Sequence, residues 1–192
     1  MASTGWAAEA WLALTGALRL ARGDSGGMQC FDASEEGFWH SFRAGGLCFP
    51  FYLILLAFPI ELGPSPEIDT WRMLAVETIH YVISWVAFPL LMLPLADWLQ
   101  RGDRYFGFMV AYNWCQVPQI VLFTAVALLG AAGALSAEGM LIADLIVGIA
   151  ALVYEWFVSR VALAVTRPRA ALVILADVGL ATLLSHVSAA LY

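Results

Sequence analysis

Lysine is absent from this sequence, and charged residues of any kind are scarce. They make up 12% of the 192 residues, whereas hydrophobic residues make up 62%. Soluble domains carry roughly a quarter charged residues, so the composition argues against a water-soluble protein with one apolar core. So much apolar side-chain surface is most stable where lipid replaces water as the solvent. The composition therefore predicts an integral membrane protein.

Sequence motifs that would indicate chemistry or a nucleic-acid partner are also missing. The chain has no phosphate-binding glycine loop and no His-Glu-x-x-His zinc motif, and Ser41 and Ser84 have no evident catalytic-triad context. Its isolated cysteines, Cys30, Cys48 and Cys115, argue against a disulfide framework or a metal-binding pair. No basic patch is interleaved with aromatic residues, so nucleic acid is not an expected partner. We therefore expect no cofactor and favour a protein without enzymatic activity.

Five apolar stretches are long enough to cross a bilayer. About 20 mostly apolar residues span a hydrocarbon core of ~30 Å. The predicted spans are residues 38–60, 73–95, 106–129, 140–158 and 170–191. Because the linkers between them are short, successive helices should be antiparallel neighbours. The predicted fold is all-α, a polytopic transmembrane bundle in which residues 38–192 form the five-helix membrane domain.

The distribution of arginine predicts how the bundle is oriented. Cytoplasmic segments of membrane proteins carry an excess of basic residues. One side of the predicted bundle holds Arg19, Arg22, Arg43, Arg101, Arg104, Arg160, Arg167 and Arg169. The opposite side holds only Arg72. We therefore predict a multi-pass protein of the bacterial inner membrane, with a cytoplasmic N-terminus and an outer C-terminus.

Residues 1–37 form a separate cytoplasmic or interfacial segment in this prediction. Residues 6–22 are typical of an amphipathic helix, with Trp11, Leu14 and Leu18 on one side. We expect this helix to lie on the cytoplasmic leaflet. A helix packed on the bundle and a sixth span are the alternatives. After glycine-rich residues 23–27, the capping-box pattern from Asp32 to Glu35 predicts a second helix that continues into the first span.

Ionisable and amide side chains inside the predicted spans are the candidate functional residues. Placing such a group in lipid costs several kcal/mol unless it is paired. The topology assigns Glu77, His80, Asp144 and His186 to the outer half of the membrane. It assigns Asn113, Gln116, Asp177 and Glu155 to the inner half.

Helical spacing predicts which of these side chains face the interior of the bundle. Glu77 and His80 are three residues apart and therefore share one face of their helix. Small residues between Asp144 and Glu155, and after Asp177, would allow close contact between helices. We predict that Glu77 and His80 form the centre of a buried polar cluster with Asp144. His186 would approach that depth from the fifth span.

The sequence leaves three functional hypotheses open. The leading one is a non-enzymatic inner-membrane scaffold, or an accessory subunit that binds other membrane proteins. The second is a small transporter, or a protein that conducts protons or ions by means of its intramembrane carboxylates. The third is a metal- or haem-binding protein, with Glu77 and His80 completed by Asp144 or His186, or with haem between His80 and His186.

The order of segments resembles one known family. A cytoplasmic N-terminal segment, five closely spaced spans over residues 38–192 and a short outer C-terminus resemble the Yip-domain membrane proteins and their bacterial relatives. The resemblance implies a small helical bundle that acts in membrane organisation or transport rather than in chemistry. The family's Asp-Leu-Tyr-Gly-Pro signature is absent, so no functional residue is carried over to this chain.

Overall fold

The computed structural model describes residues 5–57 and 70–191, and within them the regular structure is entirely helical. The helices are α1 Trp6–Ala21, α2 Glu35–Ser41, α3 Arg43–Ala57, α4 Thr70–Trp98, α5 Tyr105–Ala131, α6 Ala137–Ala162 and α7 Arg167–Ala189. Two short 3-10 helices, Ser25–Cys30 and Gly102–Arg104, follow α1 and α4. The all-α prediction is therefore confirmed.

Five of the helical segments are long and apolar enough to cross a membrane. They are Glu35–Ala57, Trp71–Trp98, Gly102–Ala131, Ala137–Ala162 and Arg167–Ala189. Each overlaps one predicted span, and the first is divided between α2 and α3 at Phe42. Residues 58–60 of the first predicted span, and the turn predicted after it, lie outside the described residues. The helices extend beyond most predicted limits because polar first and last turns are helical without being apolar.

The start of α2 shows how local sequence sets a helix boundary. The predicted helix begins at Glu35, but its N-cap is Ser34 rather than Asp32. Ser34 Oγ accepts a hydrogen bond from the backbone N–H of Gly37 at 3.0 Å. Asp32 instead accepts one from the N–H of Ser34, at 3.0 Å. A residue placed directly before the first helical turn can satisfy its N–H groups, and Asp32 lies too early to do so.

Four helix ends close with a residue in the left-handed backbone region. These residues are Gly23, Gly133, Gln100 and Ala164, with φ of 78°, 70°, 59° and 48°. Directly after Ala164, the N–H of Val165 donates a hydrogen bond to the carbonyl of Arg160 at 3.2 Å, as in a Schellman motif. Such turns reverse the chain within a few residues, and α5 and α6, like α6 and α7, are neighbours as predicted. The prediction that all successive helices are neighbours is wrong for α4, which packs mainly on α7, while α5 packs on α3. A turn sets where the chain reverses, but it does not decide which helix faces meet.

Helix α5 lies at the centre of the bundle. It contacts α1, α2, α3 and α6, whereas α7 packs mainly against α4 and α6. The largest fully buried side chains include Phe108, Met109 and Trp114 of α5. The outward faces of α4, α6 and α7 carry many exposed leucine, isoleucine and valine side chains; Leu145, for example, is 64% exposed. Apolar faces of this extent suit lipid better than water.

Helix α1 packs on the bundle through small residues. Ala13, Gly16 and Ala17 are buried at its interface with the rest of the protein. The Cβ of an alanine at Gly16 would lie 2.8 Å from the carbonyl oxygen of Gly27, so only glycine allows this approach. Tyr154 of α6 adds a hydrogen bond to the Ala17 carbonyl at 2.7 Å. The close contact between α1 and the Ser25–Cys30 segment therefore depends on the absence of a side chain at Gly16.

The opposite side of α1 is also apolar. Trp11 is 74% exposed and Leu18 is 46% exposed, but Leu14, which we predicted beside them, is half-buried against the core. The three residues predicted on one side of the helix therefore do not share one environment. Trp11 and Leu18 face outward, whereas Leu14 lies against the bundle. Trp6 and Leu12 extend the outward apolar face.

Two ion-pair groups hold the N-terminal helices together. Glu9 of α1 accepts from Arg43 at 3.2 Å and lies 3.2 Å from His40 Nδ1, which ties α1 to α2 and α3. Arg19 donates to Asp24 at 2.7 Å. This hydrogen bond holds the pKa of the Asp24 carboxyl below its ordinary value. Both groups are partly exposed, so they orient the segment more than they stabilise it.

Candidate functional site

A cavity of about 250 Å³ lies between α3, α4, α5 and α7. Most of its lining comes from the middle of α4, α5 and α7. The lining residues are Cys48, Tyr52, Tyr81, Ser84, Trp85, Phe88, Pro89, Tyr112, Asn113, Gln116, Ile120, Asp177, Leu180, Ala181 and Leu184. Five of these are aromatic, and one is a carboxylate. Among the described residues, the lining contains no arginine or histidine.

Asp177 is the charged group of this cavity. Tyr112 of α5 donates a hydrogen bond to its Oδ2 at 2.8 Å. Ala181, one turn later on α7, also lines the cavity. Asp177 and Ala181 therefore share the face of α7 that was predicted to point into the bundle. Farther along that face, Ser185 is exposed and Ser188 is buried.

Asn113 anchors the wall of the cavity to the entry of the first span. Its side-chain amide donates to Ser41 Oγ at 2.8 Å, and Ser41 in turn donates to the carbonyl of Phe38 at 2.6 Å. Asn113 and Ser41 are both almost fully buried. Neutral partners satisfy the Asn113 amide N–H, which is the arrangement expected of a structural polar contact.

A second groove lies between α5, α6 and α7. Its polar lining residues are Gln116, Gln119, Asp144 and Glu155. Gln116 also lines the cavity, and its amide lies 3.5 Å from Glu155 Oε1. The predicted stripe from Asp144 through Gly148 and Ala151 to Glu155 lies along this groove. Gln116 therefore connects the cavity that holds Asp177 with the groove that holds Glu155.

Glu77 and His80 form a pair, as their spacing predicted, but Asp144 lies elsewhere. Glu77 is 6% exposed. It accepts a hydrogen bond from Tyr52 Oη at 2.6 Å and lies 3.3 Å from His80 Nδ1. Asp144 lines the groove on α6 instead. Tyr52, which also lines the cavity, is the cross-helix partner that the sequence did not identify.

His186 lies away from both carboxylate sites. Its Nδ1 donates to the carbonyl of Thr182 on the same helix at 2.8 Å, and the side chain is exposed. Within residues 5–57 and 70–191, no three His, Cys, Asp or Glu side chains are grouped as metal ligands. The ligand set of the third hypothesis, Glu77 and His80 completed by Asp144 or His186, is therefore not assembled within the described residues.

Aromatic packing gives the cavity its walls. The rings of Tyr52 and Tyr81 are 4.8 Å apart between centroids, and those of Phe88 and Tyr112 are 4.3 Å apart. Tyr81 Oη donates to the carbonyl of Gly45 at 2.6 Å, which fixes the ring. The sequence contained a signal for these residues, since a tyrosine inside an apolar run needs a partner for its hydroxyl.

Gly45 is the residue that admits the ring of Trp85 to the wall. A Cβ at position 45 would lie 3.1–3.3 Å from three carbons of that ring. Ring atoms of a packed tryptophan have little room to retreat. A glycine in α3 therefore sets the position of an aromatic wall in α4.

One motif departs from the expected absence of chemical motifs, since residues 23–27 spell Gly-Asp-Ser-Gly-Gly and match the letters of a serine nucleophile motif. That motif requires a strand before the serine and a helix after it. Here Ser25 begins a short 3-10 helix that follows α1, and Asp24 is bonded to Arg19 and to the N–H of Gly26. The segment is a helix-terminating turn rather than a nucleophile site.

Comparison with known proteins found no match: no protein-family model, curated protein or solved structure matches the chain. The resemblance to Yip-domain proteins stays a prediction. The functional proposals below therefore rest on the residues and distances given above.

Proposed function

We propose that this protein is a small inner-membrane transport protein that binds protons or small cations at Asp177 and Glu155. The observation that carries the proposal is the placement of Asp177 in a cavity near the middle of α4, α5 and α7, where the described lining holds no cationic side chain. The transporter hypothesis from the sequence thus takes precedence over the scaffold hypothesis. No enzymatic step is part of the proposal.

The physical argument concerns charge in a bilayer. A carboxylate near the centre of a membrane needs a counter-charge, a proton or water to be stable. Tyr112 supplies one hydrogen bond to Asp177, and Gln116 approaches Glu155, but both partners are neutral. Neutral donors leave the negative charge in place, so a bound proton or cation would complete each site.

The two carboxylates lie on neighbouring helices, α7 and α6, and Gln116 of α5 borders the spaces that contain them. An amide can donate to one oxygen and accept from another group. Gln116 is therefore suited to bind a cation, or a water molecule that carries the proton, between the cavity and the groove. A purely structural contact between helices would not require a carboxylate on each side of it.

The test of this proposal is ion flux in liposomes. Purified protein is reconstituted in liposomes that enclose dyes sensitive to pH, Na⁺ or K⁺, and the matching proton, Na⁺ or K⁺ gradient is imposed on each. We expect flux above that of empty liposomes for at least one of these ions. The double variant Asp177→Asn with Glu155→Gln should fall to the empty-liposome level, whereas Glu138→Gln, an exposed carboxylate at the start of α6, should retain the flux. Wild-type flux equal to that of empty liposomes for all three ions would refute the proposal.

The proposed orientation places the N-terminus and the turn around Asp103 in the cytoplasm, and the turn around Ala134 outside, as the arginine distribution indicates. Both positions are exposed. On a background in which the three native cysteines are replaced, a membrane-impermeant maleimide should label Ala134→Cys from outside intact inner membranes. Asp103→Cys should react only after permeabilisation. The opposite labelling pattern would reverse the orientation.

The N-terminal helix has a place in the same proposal. Its small-residue face packs on α5 and α6, and its outward face carries Trp6, Trp11 and Leu18. Tryptophan is enriched at headgroup depth. We propose that α1 lies in the cytoplasmic headgroup region of the bilayer, with these side chains towards the acyl chains.

The scaffold or accessory-subunit hypothesis remains a second proposal. It is supported by the same outward face, because Trp11 and Leu18 present apolar area that a membrane partner would also cover. Native mass in a mild detergent separates the two functions. A stoichiometric complex with another membrane subunit would favour the second, and a single copy or a homo-oligomer would favour the transporter.

A further inference from the structure

We propose that the cavity binds a small monovalent organic cation, of the alkylammonium class. This inference rests on the proposed function, since it identifies the class of cation that Asp177 attracts. An organic cation differs from an inorganic ion in that aromatic rings can also contact its apolar substituents.

The walls of the cavity carry the argument. Tyr52, Tyr81 and Trp85 lie on the α3 and α4 side, and Phe88 and Tyr112 lie between α4 and α5. The negative face of an aromatic ring attracts a cation within about 6 Å of its centroid, and the attraction is strongest away from water. Alkylammonium groups combine that positive charge with apolar substituents, which such rings also cover.

Hydrogen bonding keeps two of the tyrosine rings in the wall. Tyr52 Oη is bonded to Glu77 at 2.6 Å, and Tyr81 Oη is bonded to the Gly45 carbonyl at 2.6 Å. Neither Glu77 nor Gly45 belongs to the cavity lining. The hydroxyls are thus committed to groups behind the wall, and the rings remain to contact a ligand.

Charge determines which ligands are accepted. Asp177 is the carboxylic acid of the described lining, and arginine and histidine are absent from that lining. An anion would meet the Asp177 carboxylate without a compensating charge, and a neutral ligand would leave that carboxylate unpaired. A monovalent cation satisfies the site.

Size restricts the ligand further. At about 250 Å³, the cavity is smaller than the roughly 300–1,000 Å³ typical of sites for drug-sized ligands. It suits an ammonium group with a few short alkyl substituents. Bulky multi-ring cations would have to displace Trp85 or Phe88, whose positions are fixed by close packing against Gly45 and Tyr112.

The experiment is a calorimetric titration of the purified full-length protein with tetraethylammonium in a non-ionic detergent. We expect saturable binding in the millimolar range or tighter, and none for acetate. Asp177→Asn should weaken binding by about tenfold or more, which corresponds to about 1.4 kcal/mol. Trp85→Leu should also weaken it by about tenfold through loss of a buried cation–π contact.

Trp98→Leu is the matched control, because Trp98 is 67% exposed on the same helix and does not line the cavity. The Trp98→Leu variant should bind tetraethylammonium with the affinity of the wild type. If Trp85→Leu fails to fold, Trp85→Phe keeps a ring and should bind more weakly than the wild type but more tightly than Asp177→Asn.

Three results would overturn the inference. The first is no saturable binding of tetraethylammonium by the wild type at millimolar concentration. The second is an Asp177→Asn variant that binds as tightly as the wild type, and the third is a Trp98→Leu variant that loses as much affinity as Trp85→Leu. The liposome assay keeps the two proposals distinct. Carboxylate-dependent flux of protons, Na⁺ or K⁺ without tetraethylammonium binding would refute the organic-cation class and leave the proposed function standing. The absence of both would refute both.

Discussion

Replacing Glu77 with leucine is expected to destabilise the bundle by about 2–4 kcal/mol. Glu77 is 6% exposed, and its carboxylate accepts from Tyr52 and lies beside His80. Leucine would leave both partners without this acceptor in a buried place, and each unsatisfied group costs roughly 1–3 kcal/mol. For a chain of this length the loss should lower the Tm in detergent by about 4–16 °C.

Glu77→Gln is the variant that separates hydrogen bonding from charge. Its amide oxygen still accepts from Tyr52, so we expect less than half of the loss seen for leucine. Thr78→Leu is the control, since Thr78 is adjacent and exposed, and its hydroxyl donates to the carbonyl of Leu74 in its own helix. A glutamine variant as unstable as the leucine variant would mean that the charge of Glu77, rather than its hydrogen bonds, stabilises the pair.

The second large effect is expected at the N-terminal helix, where Gly16→Val should loosen α1 from the bundle. A Cβ at this position would lie 2.7 Å from the Cβ of Cys30 and 2.8 Å from the carbonyl of Gly27. Backbone atoms cannot move aside as a flexible side chain can, and overpacking of this kind costs about 1–3 kcal/mol. At about 2 kcal/mol, the population of the opened segment would rise about 30-fold.

Limited trypsin digestion after Arg19 and Arg22 measures that opening, since cleavage there requires the end of α1 to unfold locally. The initial cleavage rate should rise with the opened population. Gly46→Val serves as the control, because no atom lies within 4 Å of its added Cβ. An unchanged cleavage rate in Gly16→Val would contradict the tight packing of α1 on the Ser25–Cys30 segment.

The long apolar helices could be predicted closely because length and hydropathy depend on the chain alone. A run of apolar residues bounded by polar turns is apolar whatever it packs against, and each of the five runs overlaps a long apolar helical segment. The first span was less regular. The structure divides it between α2 and α3, a local break that hydropathy averaged over a whole span does not register.

The candidate site was only partly predictable. Glu77 and His80 are neighbours on one helix, so their spacing was sufficient to pair them. Asp144 was assigned to the same cluster from its predicted depth, but depth does not specify which helices are adjacent. In the bundle α4 packs against α7, and Asp144 faces a groove between α5, α6 and α7. Tyr52, rather than Asp144, is the cross-helix partner of Glu77, and Asp177 is bonded to Tyr112.

By itself the sequence determined the helical class, the number of long apolar helices and the acids and amides that need partners inside them. Those properties follow from the composition and periodicity of each segment, which do not depend on distant residues. Only the tertiary structure decided that Tyr52 bonds Glu77, that Tyr112 bonds Asp177 and that Gly45 admits Trp85. Each of these contacts joins residues far apart in the chain, and it exists only because particular helix faces meet at a particular height.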